Sequence, residues 1–273
     1  MPSIGPAGLL ATARDRDPSR PMLTHYDDST GERVELPATT LDNWVAKTAN
    51  LLQEEFDVGP GSTVAVALPV HWQTAAVLLG VWSCGAAVLE TAPEDDGGLT
   101  GVDVVLASQD RLLAVEEALE EDDPDTELLG LSLHPLGLGM TGYAGQARDF
   151  ALEVRTAGDR FTPWTAALDP AAPGLLAGGL ELTLGGLVET ATELAGRLGI
   201  GPDDRILVDA QVAAEAGPVA WLLAPLAAGA SLVLCRYPFA ERLPERAAAE
   251  RVTASLGRQV DGVRELGRAA PEG

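Results

Sequence analysis

The apolar positions of this chain repeat one pattern twice. Leu41, Trp44, Val45, Thr48 and Leu52 recur at helical spacing and form one stripe. Thr40 suits the N-cap, and Asp42 suits the positive start of the helix. Gly59-Pro60-Gly61 ends that helix and turns the chain. Val64–Leu68 is a continuous apolar run, the mark of a strand buried on both faces, and Pro69 closes it. Trp72–Trp82 reads as a largely buried helix and Ala86–Leu89 as a second strand. The same steps return after Thr183, which stands as a cap. Leu184, Leu187, Val188, Ala191, Leu194 and Leu198 make the stripe, and Gly201-Pro202 the turn. Arg205–Val208 is then a strand, Pro218–Ala227 a short helix and Ser231–Leu234 a strand. Gly85-Ala86 is answered by Gly229-Ala230, the second copy carrying two extra residues.

Strand, helix and strand running one way form a βαβ unit with a right-handed crossover. Two such units predict an α/β fold: two βαβ-type lobes with mainly parallel sheets flanked by helices. A solenoid would need more units. Between the copies, Val102–Ala107 and Leu128–Leu133 are expected strands, with Leu112–Leu119 a helix between them. The expected division is contiguous. Residues 1–165 form the first lobe, 166–240 a second, smaller lobe, and 241–273 a C-terminal helix or mobile tail with no assigned role.

Composition narrows the partners. With 46% hydrophobic residues, the 273-residue chain can bury a full core. Eighteen basic residues stand against 41 acidic ones, a net charge of −23 that repels nucleic acid and anionic membrane surfaces. The N-terminal residues lack the basic start and apolar core of a signal peptide. The apolar stretch Ala75–Leu89 is shorter than the ~20 residues of a membrane span. Cys84 and Cys235 sit in apolar surroundings, as free thiols in a reducing compartment would. A cytoplasmic protein with neither a nucleic-acid nor a membrane partner is expected.

The candidate chemistry is sparse. Gly137-Leu138-Gly139-Met140-Thr141-Gly142 matches the G-x-G-x-x-G of dinucleotide sites, whose glycines let the backbone approach a pyrophosphate. His134-Pro135-Leu136 intervenes after the strand, no clear strand with an acidic residue at its end follows the helix expected at Gln146–Val154, and a glycine-rich connecting loop is the favoured reading. Asp203-Asp204 and the run Glu116 to Asp125 would suit a divalent cation, but they lack EF-hand spacing and read as a solvated face. His71, at the end of a strand, reads as a cap or packing residue. His25, His71, His134 and the two cysteines show no metal-ligand spacing, so no metal site is expected. There is no G-x-S-x-G elbow and no Walker loop.

The blocks Leu41–Leu89 and Leu184–Leu234 resemble the N-terminal domain of adenylate-forming enzymes: acyl-CoA synthetases, luciferases and peptide-synthetase adenylation domains. The stretches GPGSTVAVALPVHWQTAAVLLGVWSCGAAVL and ELAGRLGIGPDDRILVDAQVAAEAGPVAWLLAPLAAGASLVL carry the likeness, which covers most of residues 20–236. It is nearest to a group of short actinobacterial-type proteins of unknown function. The resemblance implies ATP-dependent activation of a carboxylate, with the phosphates held by a Ser/Thr/Gly-rich loop ending in Pro-Lys-Gly. Here that place reads Gly174-Leu175-Leu176-Ala177-Gly178-Gly179-Leu180-Glu181-Leu182-Thr183. Residues 177–182 hold no hydroxyl and no lysine, and Glu181 would repel a phosphate. Lys47, the only lysine of the chain, reads as a surface residue on the first helix. The family's later nucleotide motifs and its C-terminal catalytic lysine have no counterpart here.

No catalytic residue is therefore assigned. The remaining weak cofactor-binding candidates are Gly178, Gly179 and Thr183, the diglycine as a small anion nest. The expected function is a non-catalytic binding or interaction module with an unidentified protein partner. The alternatives are a residual site for ATP, AMP, CoA or an acyl chain, and an enzyme completed by a partner chain.

Overall fold

A computed structural model of the protein describes residues 5–91, 99–122 and 125–267. In chain order it begins with α1 (Pro6–Arg16), β1 (Pro21–Asp27), β2 (Glu32–Pro37) and α2 (Ala38–Glu55). Next come β3 (Thr63–Ala67), α3 (Trp72–Ser83), β4 (Ala87–Glu90), β5 (Val104–Ser108), α4 (Leu112–Asp122) and β6 (Glu127–Leu131). β7 (Arg148–Asp149), α5 (Phe150–Val154), β8 (Pro173–Ala177), β9 (Leu180–Thr183) and α6 (Leu184–Leu198) follow. The chain then forms β10 (Arg205–Asp209), α7 (Ala210–Pro218), α8 (Ala224–Ala228), β11 (Ser231–Arg236), α9 (Leu243–Ala249), β12 (Ala254–Leu256) and β13 (Arg264–Glu265). The chain divides into two compact units, one built around residues 42–69 and 73–187, the other around 9–41, 70–72 and 188 onward.

The first unit carries a seven-stranded sheet in the order β7-β6-β5-β3-β4-β8-β9. All its neighbours run parallel except β9, which returns antiparallel along β8. The apolar runs explain the buried centre: Val64 lies opposite both Val88 and Val104, and Val105 opposite Leu128. Ala65, Ala67, Val105 and Ala107 pack in one cluster with Leu112, Val115 and Leu119 of α4. Each large aliphatic side chain buried this way stabilises the unit by roughly 1.5–3 kcal/mol.

Small residues set the helix spacing. A Cβ added at Gly80 of α3 would stand 2.7 Å from Cγ2 of Thr48 on α2, and one at Gly59 would stand 2.4 Å from the ring of Trp164. The buried Trp82 donates its indole N–H to the carbonyl of Gly174, 2.8 Å. Cys84 is a free, buried thiol, pushed up to about 12 by burial.

The second unit carries a six-stranded sheet, β13-β12-β10-β11-β1-β2, parallel except for β2. Leu23 of β1 lies beside Leu232 of β11. The contiguous division expected at residue 165 therefore gives way to an interleaved one. Strands at 21–37 join the sheet of 205–236, and strands at 173–183 join the sheet of 63–90. Parallel neighbours cannot be joined by a tight turn, so pairing partners are drawn from distant parts of the chain. Residues 241–267 are likewise no plain helix or tail, since α9, β12 and β13 close the edge of this sheet.

Charged side chains tie this sheet together. Glu250 accepts hydrogen bonds from Tyr26 (2.6 Å), Arg205 (2.5 Å) and Arg33 (2.8 Å). Arg205 also donates to Thr24 Oγ1 and to the carbonyl of Pro21. Asp28 pairs with Arg246 at 2.5 Å, both side chains buried. Burial alone would raise the Glu250 carboxyl; the bonds from Tyr26, Arg205 and Arg33 outweigh it and hold it at about 2. The second free cysteine, Cys235, is buried in this sheet, and burial pushes its thiol up to about 11.

Two outcomes are expected. Gly80→Ala should destabilise, because crowding of the stiff, β-branched Thr48, about 1–3 kcal/mol, outweighs the ~1 kcal/mol that alanine gains in a helix. Urea unfolding checks the sign. For Glu250, the folded pKa lies below the ordinary 4.5, so its contribution is complete above about pH 4.5 and is lost as pH falls toward 2. Glu250→Gln should cost about 2–3 kcal/mol at pH 7, less than a fully buried pair because Arg33 is half exposed. That deficit should shrink on acidification, as denaturation at pH 7 and pH 3 would show.

Candidate functional site

The segment where the resemblance places a phosphate-binding loop is a hairpin. β8 and β9 pair from Pro173 opposite Thr183 to Ala177 opposite Leu180. Gly178 and Gly179 are the two residues of the turn, at φ +53° and +85°. Positive φ at both central residues is the requirement of a type I′ turn, whose twist matches the flanking strands. A Cβ at either position would meet nothing within 4 Å, so these glycines answer to backbone conformation and not to a close neighbour.

Thr183 lies at the other end of β9, roughly 12 Å along the strand. Its hydroxyl accepts from the N–H of Gly186, 3.0 Å, so it is the N-cap of α6, as its place before the apolar stripe suggests. The helix start is otherwise filled by its own chain. The N–H of Leu184 donates to the carbonyl of Ala172 (2.9 Å) and that of Gly185 to the carbonyl of Pro170 (2.8 Å). A helix offers four free N–H groups at its start, and here three of them are taken. The structure thus keeps the three candidates apart: an exposed diglycine at a hairpin tip and a threonine already bonded at a helix start.

The glycine motif has a similar explanation. Asp149 accepts from the N–H of Met140 at 2.6 Å through one oxygen and caps α5 through the other, bonded to Ala151 N–H at 2.9 Å. A Cβ at Gly139 would stand 2.7 Å from that carboxylate. Gly137 and Gly142 turn the chain at φ +62° and +72°. Ser132 and Arg155 bond to the carbonyls of Leu138 and Gly137. The protein's own carboxylate therefore occupies the backbone donor that a pyrophosphate would seek.

The acidic stretches have partners as well. Glu116 accepts from the Tyr143 hydroxyl and from the N–H groups of Gln146 (2.6 Å) and Ala147 (3.0 Å). Burial pushes its carboxyl up, but these bonds hold it below the ordinary value. Asp204 accepts from Gly201 N–H, Thr253 and Arg264. Asp203 is exposed, and residues 123–124 of the acidic run lie outside the described residues. Among the described residues, no group of three His, Cys, Asp or Glu side chains is placed to hold a metal ion.

Lys47 is not a free surface residue. It is half-buried, and its Nζ donates to the carbonyl of Ala157 (2.5 Å) and reaches that of Arg155 (3.4 Å), just past the end of α5. His71 is buried against His25, ring centroids 4.3 Å apart, a contact that no spacing in the sequence signals. Among the described residues, no helix is long and apolar enough to cross a membrane.

Comparison with solved structures places the fold. The anthranilate CoA ligase AuaEII, solved with anthranoyl-AMP, superposes with a TM-score of 0.75 at 14% identity, over 94% of this chain and 50% of that one. A benzoate CoA ligase from Burkholderia xenovorans gives 0.72 at 19% identity, over 93% and 50%. The N-terminal domain of FACL13 from Mycobacterium tuberculosis gives 0.69 at 14%, over 93% and 62%. The chain thus spans half to three-fifths of these proteins, and it has the mixed α/β fold of acyl-CoA synthetase N-terminal domains. No family model matches the sequence. A TIGR03089 family protein of Mycobacterium tuberculosis is 41% identical over 241 residues, 88% of this chain and 93% of that protein. At that identity and coverage, the chain belongs to the TIGR03089 family.

Proposed function

We propose that this protein is a non-catalytic member of the acyl-CoA-synthetase-like fold, serving as a binding or interaction module. The start of α6 carries the reading. Phosphoryl and acyl-adenylate chemistry is stabilised chiefly by donors and cations aimed at developing negative charge. Here the N–H groups of Leu184, Gly185 and Gly186 point at Ala172, Pro170 and Thr183 of the same chain. The preceding turn is a closed two-residue hairpin with Glu181 exposed beside it. Freeing those amides for an anion would break three hydrogen bonds at about 1 kcal/mol each before any binding began. The other donors that a nucleotide would use, the Met140 N–H and the Lys47 ammonium, are engaged too.

Two measurements test this together. Pyrophosphate exchange into ATP, run on the purified protein with aliphatic and aromatic carboxylic acids, should stay at background. The melting temperature should be unchanged at 1 mM ATP, AMP or CoA, whereas a ligand at a hundred times its Kd would add about 2.7 kcal/mol of stability. Exchange above background overturns the proposal in favour of an enzyme. A stabilising shift without exchange overturns it in favour of a nucleotide- or CoA-binding protein.

A further inference from the structure

Two of the three histidines form a pair inside the second unit. His25 lies on β1, in register with Leu234 of β11 and Val34 of β2. His71 lies immediately before α3, in residues 70–72, which belong to this unit. Each is 1% exposed, and the rings meet edge to face at 4.3 Å and 70°. Among the described residues, neither ring nitrogen of His25 has a hydrogen-bond partner. Neutral imidazoles pack in this way as aromatic rings. A proton on His25 would place a buried charge against a second imidazole, on a ring whose nitrogens have no acceptor to receive it.

The charged groups acting on the pair do little to offset that cost. Asp27, on β1, favours a charged His25, while Arg236, on β11, disfavours charge on both rings. Asp27 is itself committed, to Arg236 at 3.6 Å and to the N–H and hydroxyl of Ser29 at 2.8 and 2.5 Å.

We propose that the His25–His71 pair is an acid-sensitive fastener, which holds residues 70–72 against β1 while both rings are neutral and releases them when one takes a proton. Burial pushes His25 down to about 4, with Asp27 opposing and Arg236 reinforcing. His71 is held well below its ordinary value by burial, then by His25 and Arg236. Both folded values lie under the ordinary 6.5. The packing is therefore fully stable above pH 6.5 and weakens as pH falls toward 4. One proton accounts for a factor of about 20 in the opening equilibrium between pH 7 and pH 5.

Hydrogen–deuterium exchange, expressed as protection factors to remove the chemical pH dependence, tests this on the whole chain. Peptides covering residues 70–72 and β1 should lose about 20-fold in protection between pH 7 and pH 5, while β3 and β10 keep theirs. His25→Phe, or His25→Gln if the former fails to fold, should remove most of that pH dependence. In NMR titration His25 and His71 should stay neutral at pH 6. Equal protection of these peptides at both pH values overturns the proposal. So does loss of protection throughout the chain at once, or an unaltered pH dependence in the His25 variants.

Discussion

Parallel pairing between distant segments is the constraint on which this structure rests. β1 has β11 as its neighbour, and β4 has β8. Such pairs have no turn to hold them in register, so the register must come from side chains and buried area. Arg205 does part of this for the second sheet. From β10 it reaches Pro21 and Thr24 on β1 and Glu250 beyond α9, joining three segments far apart in sequence. The chain must leave each sheet and return to it, and that is why its two units interleave.

The regular core was legible where the sequence is apolar and periodic. Both βαβ units, α4 and the cap at Thr183 follow from stripes, runs and turn residues. β1 was not legible because Thr24, His25 and Asp27 interrupt it, and all three are buried. Their polar side chains mask a strand whose burial comes from its place between two neighbours. α7 was missed although Asp209 caps it, bonded to the Gln211 N–H at 3.0 Å; an aspartate at the end of a strand was the available signal. β12 and β13, of three and two residues, fall below the length at which alternation has meaning. The diglycine at 178–179 was legible as a turn, since Gly-Gly between two apolar runs fits a hairpin, but it was read as an anion nest. Nothing in the spacing could show that Pro170 and Ala172 would fold onto the first amides of α6.

The acidity of the chain also takes on structural meaning. Asp149, Glu116, Asp204, Asp209 and Asp17 each accept a backbone N–H in a loop or at a helix start. These are the positions at which many proteins place phosphate or sulfate, since anions suit exposed amides. Here the carboxylates are covalently supplied. An excess of acid groups that reads from composition as a solvated surface is in part the glue of the connecting segments.

The engagement of Lys47 reaches beyond folding. It is the chain's one lysine, and its amine lies between two peptide carbonyls. Amine-directed crosslinkers and enzymes that tag lysines therefore find a single side-chain amine here, and that one is already engaged. Carboxylate-directed coupling, with 41 acidic side chains to draw on, is the chemistry by which neighbours of this protein are to be mapped.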